Sequence, residues 1–127
     1  ARVRASGGHR LSALDDVTDA LSRLSVACNS EMDLQAAVGQ ILDASGIANT
    51  PEADIGTGRI DFLAGAVGIE CKVAGAPAAV ARQVLRYCGS GRCDDGVLLV
   101  TTKASHRAIR GINSFPIRVL VICGGIS

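Results

Sequence analysis

The architecture of this chain follows from residues 59–72, RIDFLAGAVGIECK. Two runs of mostly apolar residues flank Gly65 and Ala66, and each has the length and composition of a β-strand. Glycine adopts positive φ readily, so these two residues suit a tight hairpin turn. A two-residue loop would place Leu63 opposite Gly68. The sequence therefore predicts a β-hairpin with a defined register.

The same register places two acids opposite each other, Asp61 on the first strand and Glu70 on the second. Residues paired in this way have Cβ atoms about 4.5–5.5 Å apart. Lys72 is two residues beyond Glu70 and would project from the same face, whereas Ile69 and Cys71 would face a core. Like charges so close are destabilising unless something compensates.

A divalent cation would neutralise the two opposed carboxylates. Asp and Glu oxygens are the ligands that Mg²⁺ prefers, and a metal held between two carboxylates beside a lysine is an arrangement that cleaves phosphodiesters. The hairpin residues alone therefore predict a nuclease, with Asp61 and Glu70 as metal ligands and Lys72 as their catalytic neighbour.

The composition predicts one domain with an aliphatic core. The chain has 127 residues, 48% of them hydrophobic and 2% aromatic, which is enough for a single core. We expect a loose polar arm at residues 1–10 and one domain at 11–127. No apolar run approaches the roughly 20 residues that span a bilayer, and the first residues lack the apolar block of a signal peptide.

The five cysteines show no paired spacing and lie mainly in apolar segments. This pattern is typical of reduced, buried thiols and predicts a cytoplasmic protein. A zinc site or a disulfide at Cys88 and Cys93 is the less favoured alternative, because no second ligand pair follows them.

The net charge of +1 conceals an asymmetry. Residues 1–55 contain four Arg and eight Asp or Glu, a charge of −4, whereas residues 56–127 contain nine Lys or Arg and four Asp or Glu, a charge of +5. The basic half contains the acid pair. A basic surface around such a site suits a phosphate backbone, so the charge pattern favours DNA as a partner and no membrane.

Periodicity, capping residues and Gly/Pro positions predict the order α-α-(β)-β-β-α-β-α-β. Ser12 and Ser30 are expected to cap the first two helices, and Gly46 and Gly89 to follow the second and third. The predicted helices cover 12–28, 31–44, 77–88 and 103–112; the predicted strands cover 59–64, 67–73, 97–101 and 117–123, with a weak strand within 47–55. A hairpin that leads into a strand–helix–strand crossover makes an α/β fold with a mixed sheet flanked by helices.

The third predicted helix has two contrasting faces at 100° per residue. The apolar face contains Val80, Ala81, Val84, Leu85 and Cys88, and the polar face contains Arg82, Gln83, Arg86 and Tyr87. Gln83 and Tyr87, at i and i+4, are expected to be surface neighbours whose edge of the helix could reach the carboxylates. The alternative is an ordinary amphipathic helix with solvated arginines.

Glu31 is the strongest candidate for a third acid. It falls within the apolar arc of the second helix, which contains Leu34, Val38, Ile41 and Leu42. It either turns to solvent at the helix end, supported by the helix dipole, or points inward to a metal. Glu52 and Asp54 are rival third carboxylates. His9 and His106 are expected to be solvated.

Together these residues resemble the PD-(D/E)xK nuclease superfamily, which has the restriction-endonuclease-like fold. Asp61 with Glu70-Cys71-Lys72 is similar to its central motif, and Glu31 to its helical acid. Gln83 and Tyr87 resemble the Q-x-x-x-Y helix of exonuclease-type and replication–repair branches. The resemblance covers residues 30–101, and Ile60 stands where the motif has proline.

The resemblance implies a restriction-endonuclease-like core and metal-dependent hydrolysis of DNA. Mg²⁺ or Mn²⁺ would be held by Asp61, Glu70, the backbone carbonyl of Cys71, and Glu31. Lys72 would orient or help deprotonate the attacking water and offset charge on the scissile phosphate.

The resemblance gives the remaining polar residues supporting roles. Gln83 and Tyr87 would brace the site or contact the DNA backbone, and Arg59, Arg82 and Arg86 would contact phosphates. The function expected is a structure-selective or weakly specific DNA endonuclease in repair or restriction, with a homodimer as one possible assembly. A Holliday-junction resolvase, an exonuclease-type enzyme and a toxin-type domain all stay open. So do a non-catalytic module that binds nucleic acid or protein, and a plain α/β domain.

Overall fold

The described part of the chain comprises residues 10–25, 30–109 and 116–122 of a computed structural model. Three α-helices, five strands and one 3₁₀ helix follow one another along it. In order they are α1 (Arg10–Leu21), α2 (Glu31–Ala44), β1 (Thr50–Asp54), β2 (Arg59–Ala64), β3 (Val67–Lys72), α3 (Pro77–Cys88), β4 (Gly96–Thr101), the 3₁₀ helix (Ala104–Ala108) and β5 (Ile117–Val121).

The five strands form one mixed sheet in the order β1-β2-β3-β4-β5. The pairs β1–β2 and β2–β3 are antiparallel, whereas the pairs β3–β4 and β4–β5 are parallel. The predicted α/β class and mixed sheet are therefore confirmed. β3 joins the two halves, and the α3 crossover leads from it to β4, as expected for parallel neighbours.

Local signals set the ends of α2 and α3 as predicted. Ser30 is extended at φ −149° and its hydroxyl accepts the Asp33 N–H at 3.1 Å, which satisfies one free donor of the first turn. Gly46 follows α2 with φ +74°. Pro77 begins α3, where its missing N–H costs nothing.

Two helix predictions are wrong. α1 contains Ser12 rather than beginning there, and it ends at Leu21, seven residues before the expected end at Cys28, which lies outside the described residues. Beyond Leu21, the N–H groups of Arg23 and Leu24 bond carbonyls three residues earlier, so the α-helical pattern ends. The Ser22 hydroxyl donates to the Asp19 carbonyl, a local side-chain bond that competes with the helix.

The helix expected at 103–112 is only a 3₁₀ helix, Ala104–Ala108. Ile109 has extended backbone angles, so the helix ends before it, and residues 110–112 are not described. The Lys103 N–H is taken by the Thr101 hydroxyl, which fixes a tight turn directly after β4. Arg10, predicted in the loose arm, is the first residue of α1. Residues 1–9 of that arm and residue 123 of the last predicted strand lie outside the described ranges.

Helices cover both faces of the sheet and create two cores. Ile69, Cys71, Leu98 and Val100 pack under α1 and α2, whereas Val97, Leu99 and Cys93 pack with α3. The strands β3 and β4 are buried on both faces, which explains their near-continuous apolar sequence. Within the described ranges, no helix is long and apolar enough to cross a membrane.

Candidate functional site

The hairpin of β2 and β3 has the predicted register. Leu63 pairs with Gly68, Phe62 pairs with Ile69, and Gly65 in the turn has φ +62°. The paired backbone ladder ends at Phe62 and Ile69. The next residues along the hairpin are Asp61 and Glu70. There, bonds from backbone amides to side-chain carboxylates take the place of backbone–backbone bonds.

Two backbone amides bind the acids across this position. The Asp61 N–H donates to Glu70 Oε1 at 3.2 Å, and the Cys71 N–H donates to Asp61 Oδ2 at 2.8 Å. Each carboxylate therefore accepts a bond from the backbone of the opposite strand. The structure brings Asp61 and Glu70 together as predicted, through these amide–carboxylate bonds.

A break in strand alternation lies at Asp61. Ile60 packs in the α3 core and Phe62 in the α1–α2 core, although residues two apart in a regular strand share a face. On β1, Pro51 pairs with Phe62 and Ala53 with Ile60, so Glu52 stands opposite Asp61. Glu52 is the only non-glycine residue with positive φ (+49°) among the described residues. The acids thus meet at an irregular point, not on one face of a regular hairpin.

Asp61 is held from the α2 side of the sheet. Gln35 Nε2 donates to Asp61 Oδ1 at 3.1 Å. Sequence reasoning missed Gln35. Its only signal was its position four residues after Glu31, which puts both side chains on the same edge of α2. Glu31 itself is half-buried, and its negative charge helps raise the pKa of Asp61. Whether it turns to solvent or toward a metal stays a prediction.

Glu70 is held from the α3 side and is 3% exposed. Gln83 Nε2 donates to Glu70 Oε2 at 3.2 Å and to the Tyr87 hydroxyl at 2.8 Å, and that hydroxyl donates to the Arg59 carbonyl at 3.2 Å. Lys72 Nζ lies 3.9 Å from Glu70 Oε2, with its side chain 19% exposed. Gln83 and Tyr87 are therefore neighbours at the acid pair.

The predicted surface position of Tyr87 is wrong, since it is only 1% exposed. Leu85, predicted on the apolar face of α3, is 37% exposed instead. The helix is rotated so that its Gln83–Tyr87 edge lies against β2 and β3. Burial of these polar atoms is tolerated because each has a hydrogen-bond partner.

Burial raises the pKa values of both acids, and a nearby negative charge adds to the effect, that of Glu31 on Asp61 and that of Asp61 on Glu70. Burial, and then the charge of Asp61, raise the pKa of Glu70 to about 7. Burial is also the main cause that raises the pKa of Asp61, opposed by its bond from the Cys71 amide. Lys72 lowers both pKa values without cancelling these effects. Glu70 therefore holds a proton over much of the acidic pH range and loses it near pH 7.

The rival acids are engaged elsewhere. Glu52 is 3.8 Å from Arg59, with both side chains about two-thirds exposed at 68% and 66%. Asp54 is exposed, and its Oδ1 accepts the Gly56 N–H at 2.9 Å, which stabilises the turn after β1. Of the three candidate third acids, Glu52 stands opposite Asp61 on β1 but pairs with Arg59, and Glu31 acts electrostatically on Asp61. Arg82 and Arg86 are exposed on α3.

His106 is not solvated as predicted, because it is fully buried. Its Nε2 lies 2.7 Å from the Gly75 carbonyl and its Nδ1 lies 2.7 Å from the Thr101 hydroxyl. A carbonyl only accepts, so Nε2 carries a proton. His106 fastens the loop after Lys72 to the end of β4. Its tertiary partners lie 31 and five residues away, so no local sequence pattern indicates this role.

The donor set fits a hard divalent cation. Among residues 10–25, 30–109 and 116–122 no group of three or more His, Cys, Asp or Glu side chains is arranged to hold a metal. Mg²⁺, however, commonly takes one or two carboxylates and retains several waters. Asp61 and Glu70 supply two carboxylates of this kind, beside the ammonium group of Lys72. Cys71, Cys88 and Cys93, the described cysteines, form no disulfide with one another.

Comparison of the chain with known protein families, curated proteins and solved structures finds no significant match. The site must therefore be interpreted from its own chemistry. It places one buried carboxylate, one half-buried carboxylate, a partly exposed lysine and two amide side chains at one end of a hairpin. Such an arrangement can bind a cation and hold a polar substrate group beside an ammonium ion.

Proposed function

We propose that this chain is a metal-dependent nuclease that hydrolyses phosphodiester bonds in DNA. The observation that supports this most directly is the convergence of Asp61, Glu70 and Lys72, in which the Asp61 N–H bonds Glu70 Oε1 and Lys72 Nζ lies 3.9 Å from Glu70 Oε2. A restriction-endonuclease-like core and membership of the PD-(D/E)xK superfamily form part of the same proposal.

Asp61 and Glu70 would hold Mg²⁺ or Mn²⁺, with the Cys71 carbonyl and Glu31 as further ligands, directly or through water. Bound there, the ion would polarise the phosphate and lower the pKa of water. Glu70 would release its proton on binding, because a nearby cation favours the charged carboxylate. The amide of Gln83 keeps Glu70 Oε2 oriented, and Tyr87 fixes Gln83.

Lys72 is the residue best placed to touch the substrate. Its side chain is 19% exposed, whereas that of Glu70 is almost fully buried. The ammonium ion would orient the attacking water and offset the negative charge that builds on the phosphate oxygens. Tertiary bonds hold the backbone here, since the Thr102 N–H donates to the Lys72 carbonyl at 3.2 Å.

DNA would be held mainly through its phosphates. Arg59, Arg82 and Arg86 are exposed cations on the strand and helix that carry the site. With 2% aromatic residues, the chain has few side chains for base stacking. These features favour a structure-selective or weakly specific endonuclease over a sequence-specific one. A homodimer belongs to the proposal, because one small domain offers little surface to a duplex.

A second candidate function is a non-catalytic module that binds nucleic acid or protein. It is favoured by the complete hydrogen bonding of the acid pair: within the described residues, no buried side-chain nitrogen or oxygen lacks a partner. A cluster so well satisfied could serve stability alone. This candidate predicts DNA or protein binding without turnover.

The deciding experiment is a cleavage assay on supercoiled plasmid, single-stranded DNA and a four-way junction, each with Mg²⁺, Mn²⁺ or EDTA. The chain contains two lysines, so Lys72→Ala has a matched control in Lys103→Ala, an exposed residue after β4. We expect metal-dependent cutting that Lys72→Ala lowers by about 10²–10³-fold, the effect of removing one pre-organised charge-stabilising group.

Lys103→Ala should cut at close to the wild-type rate. Cutting by Lys72→Ala at the wild-type rate would contradict the mechanism. No cutting of any substrate by a folded protein that binds Mg²⁺ would favour the non-catalytic module. The preferred substrate would also separate the junction-cleaving and exonuclease-type alternatives.

A further inference from the structure

We propose that Gln35 is a positioning residue that holds Asp61 ready for the cation. The inference rests on the proposed metal-dependent function and adds a residue that the motif does not contain. It starts from one contact, Gln35 Nε2 to Asp61 Oδ1 at 3.1 Å, made across 26 residues of chain. An ionised carboxylate only accepts, so the amide of Gln35 is oriented with its nitrogen toward Asp61.

The two acids are supported in the same way. Glu70 accepts one backbone amide, from Asp61, and one glutamine amide, from Gln83. Asp61 accepts one backbone amide, from Cys71, and one glutamine amide, from Gln35. Gln35 lies on α2 and Gln83 on α3, which pack on opposite faces of the sheet. The acid pair is thus held between two amide donors.

These bonds leave room for a cation. Each carboxylate oxygen has about two acceptor positions. Asp61 uses one on Oδ1 for Gln35 and one on Oδ2 for the Cys71 amide. The remaining positions are free to bind a metal while the donors prevent the carboxylate from rotating away from the neighbouring negative charge of Glu70. Such outer partners of metal ligands commonly contribute 10–100-fold to metal affinity.

The position of Asp61 makes this support necessary. Its carboxylate is held by donors from two different elements, the Gln35 amide on α2 and the Cys71 N–H on β3. Without the Gln35 amide, the carboxylate would be free to rotate about its side-chain bonds, and cation binding would have to restore its orientation. Loss of Gln35 should therefore weaken cation binding more than it weakens the fold.

The test compares Gln35→Met with Gln40→Met. Both substitutions remove an amide from α2 and keep an unbranched side chain with good helix propensity, but Gln40 is exposed. Mn²⁺ binding is measured by the loss of the electron paramagnetic resonance signal of the free ion, with Mg²⁺ as competitor. Apo stability is measured by thermal unfolding in EDTA. We expect Gln35→Met to bind Mn²⁺ about tenfold more weakly than wild type, and Gln40→Met to bind as wild type.

A second variant, Gln35→Ala, removes the amide without any steric clash and should show the same loss. Wild-type Mn²⁺ affinity in both Gln35 variants would overturn the positioning role and leave the proposed nuclease intact. A loss of affinity matched by a large fall in apo melting temperature in both variants would assign Gln35 to the fold and also overturn it. Absence of Mn²⁺ binding and of cleavage in the wild type would overturn the proposed function, and this inference with it.

Discussion

Glu70 shows how one buried side chain can link stability to chemistry. It is 3% exposed, yet it accepts bonds from a backbone amide and from Gln83. These bonds do not offset burial and the charge of Asp61, so its pKa rises from 4.5 to about 7. Without a cation, the folded protein therefore binds a proton that the unfolded chain has lost in this pH range.

This proton gives the apo protein a characteristic pH dependence. A group whose pKa is raised in the folded state stabilises the fold fully below its unfolded pKa, and this stabilisation is lost as pH rises through the folded pKa. For Glu70 the window runs from 4.5 to about 7. We expect the free energy of unfolding to fall across it by an amount on the order of 3 kcal/mol.

Glu70→Gln should largely remove this dependence and make the apo protein more stable than wild type at pH 8, since the amide keeps an acceptor for the Asp61 N–H without the charge. Glu52→Gln, an exposed control, should leave the slope unchanged. Urea unfolding in EDTA at pH 4.5, 6 and 8 measures both. A wild-type stability that rises between pH 4.5 and 7 would show that the acid pair has compensating partners.

At the scale of single elements, the sequence predicts local features well. The Ser30 cap, the Pro77 start and the Gly65 turn each depend on residues within a few positions, and all three are confirmed. The hairpin register follows from turn length alone, which is why Asp61 and Glu70 could be paired without a structure.

Features that depend on tertiary contacts escape such prediction. Gln35 meets Asp61 across 26 residues, and His106 meets Gly75 across 31. The rotation of α3 follows from hydrogen bonds that bury Tyr87, which outweigh a hydrophobic pattern that placed Leu85 inside. The 3₁₀ helix likewise depends on Thr101 at the end of a buried strand. Polar groups with buried hydrogen-bond partners therefore account for most of the differences between the predicted and the observed structure.

The hairpin also contains a close approach that fixes β3 against its neighbours. A Cβ on Gly68 would lie 2.5 Å from Ile60 Cδ1 and 2.7 Å from Cys93 Sγ, both buried. Gly68→Ala should therefore destabilise the protein by about 1–3 kcal/mol, as overpacking of a core does. Thermal or urea unfolding in EDTA measures the change.

Gly39 in α2 provides the contrast. A Cβ there meets Phe62 at 3.5 Å, an ordinary contact, in a helix where alanine is preferred. Gly39→Ala should stabilise the protein by about 0.5–1 kcal/mol. A stabilising Gly68→Ala would contradict the packing described between β3 and its neighbours, and a destabilising Gly39→Ala would contradict the space described beside Phe62.

In the whole molecule, the acid pair lies where the antiparallel and parallel halves of the sheet meet. β3 belongs to both halves, and its last residue, Lys72, pairs with Thr101 at the carboxyl end of β4. In α/β sheets, ligands commonly bind beyond the carboxyl ends of parallel strands. The helices on the two faces each contribute one amide, Gln35 from α2 and Gln83 from α3. The site therefore requires the sheet and the helices on both of its faces.

Charge is distributed unevenly along the same chain. After Glu70, residues 71–127 contain eight Lys or Arg and two Asp or Glu, a charge of +6, whereas residues 1–70 contain five and ten, a charge of −5. α3 contains two arginines and no acid. If DNA is the partner, its phosphates should lie along this helix, and the binding should weaken with salt as counterions are released.

Arg82→Ala combined with Arg86→Ala should test this arrangement. Each phosphate contact contributes about 0.9 to the slope of log K against log salt on duplex DNA, so the double variant should lower the slope by about 2. Arg23→Ala, an exposed arginine in the acidic half, serves as the control and should change it little. Fluorescence anisotropy with a labelled duplex in EDTA measures the slope without cleavage. Between about 50 and 200 mM salt, a protein with several phosphate contacts should lose about tenfold or more in DNA affinity. An unchanged slope in the double variant would place the DNA elsewhere on the molecule, and no binding by the wild type would exclude duplex DNA as its partner under these conditions.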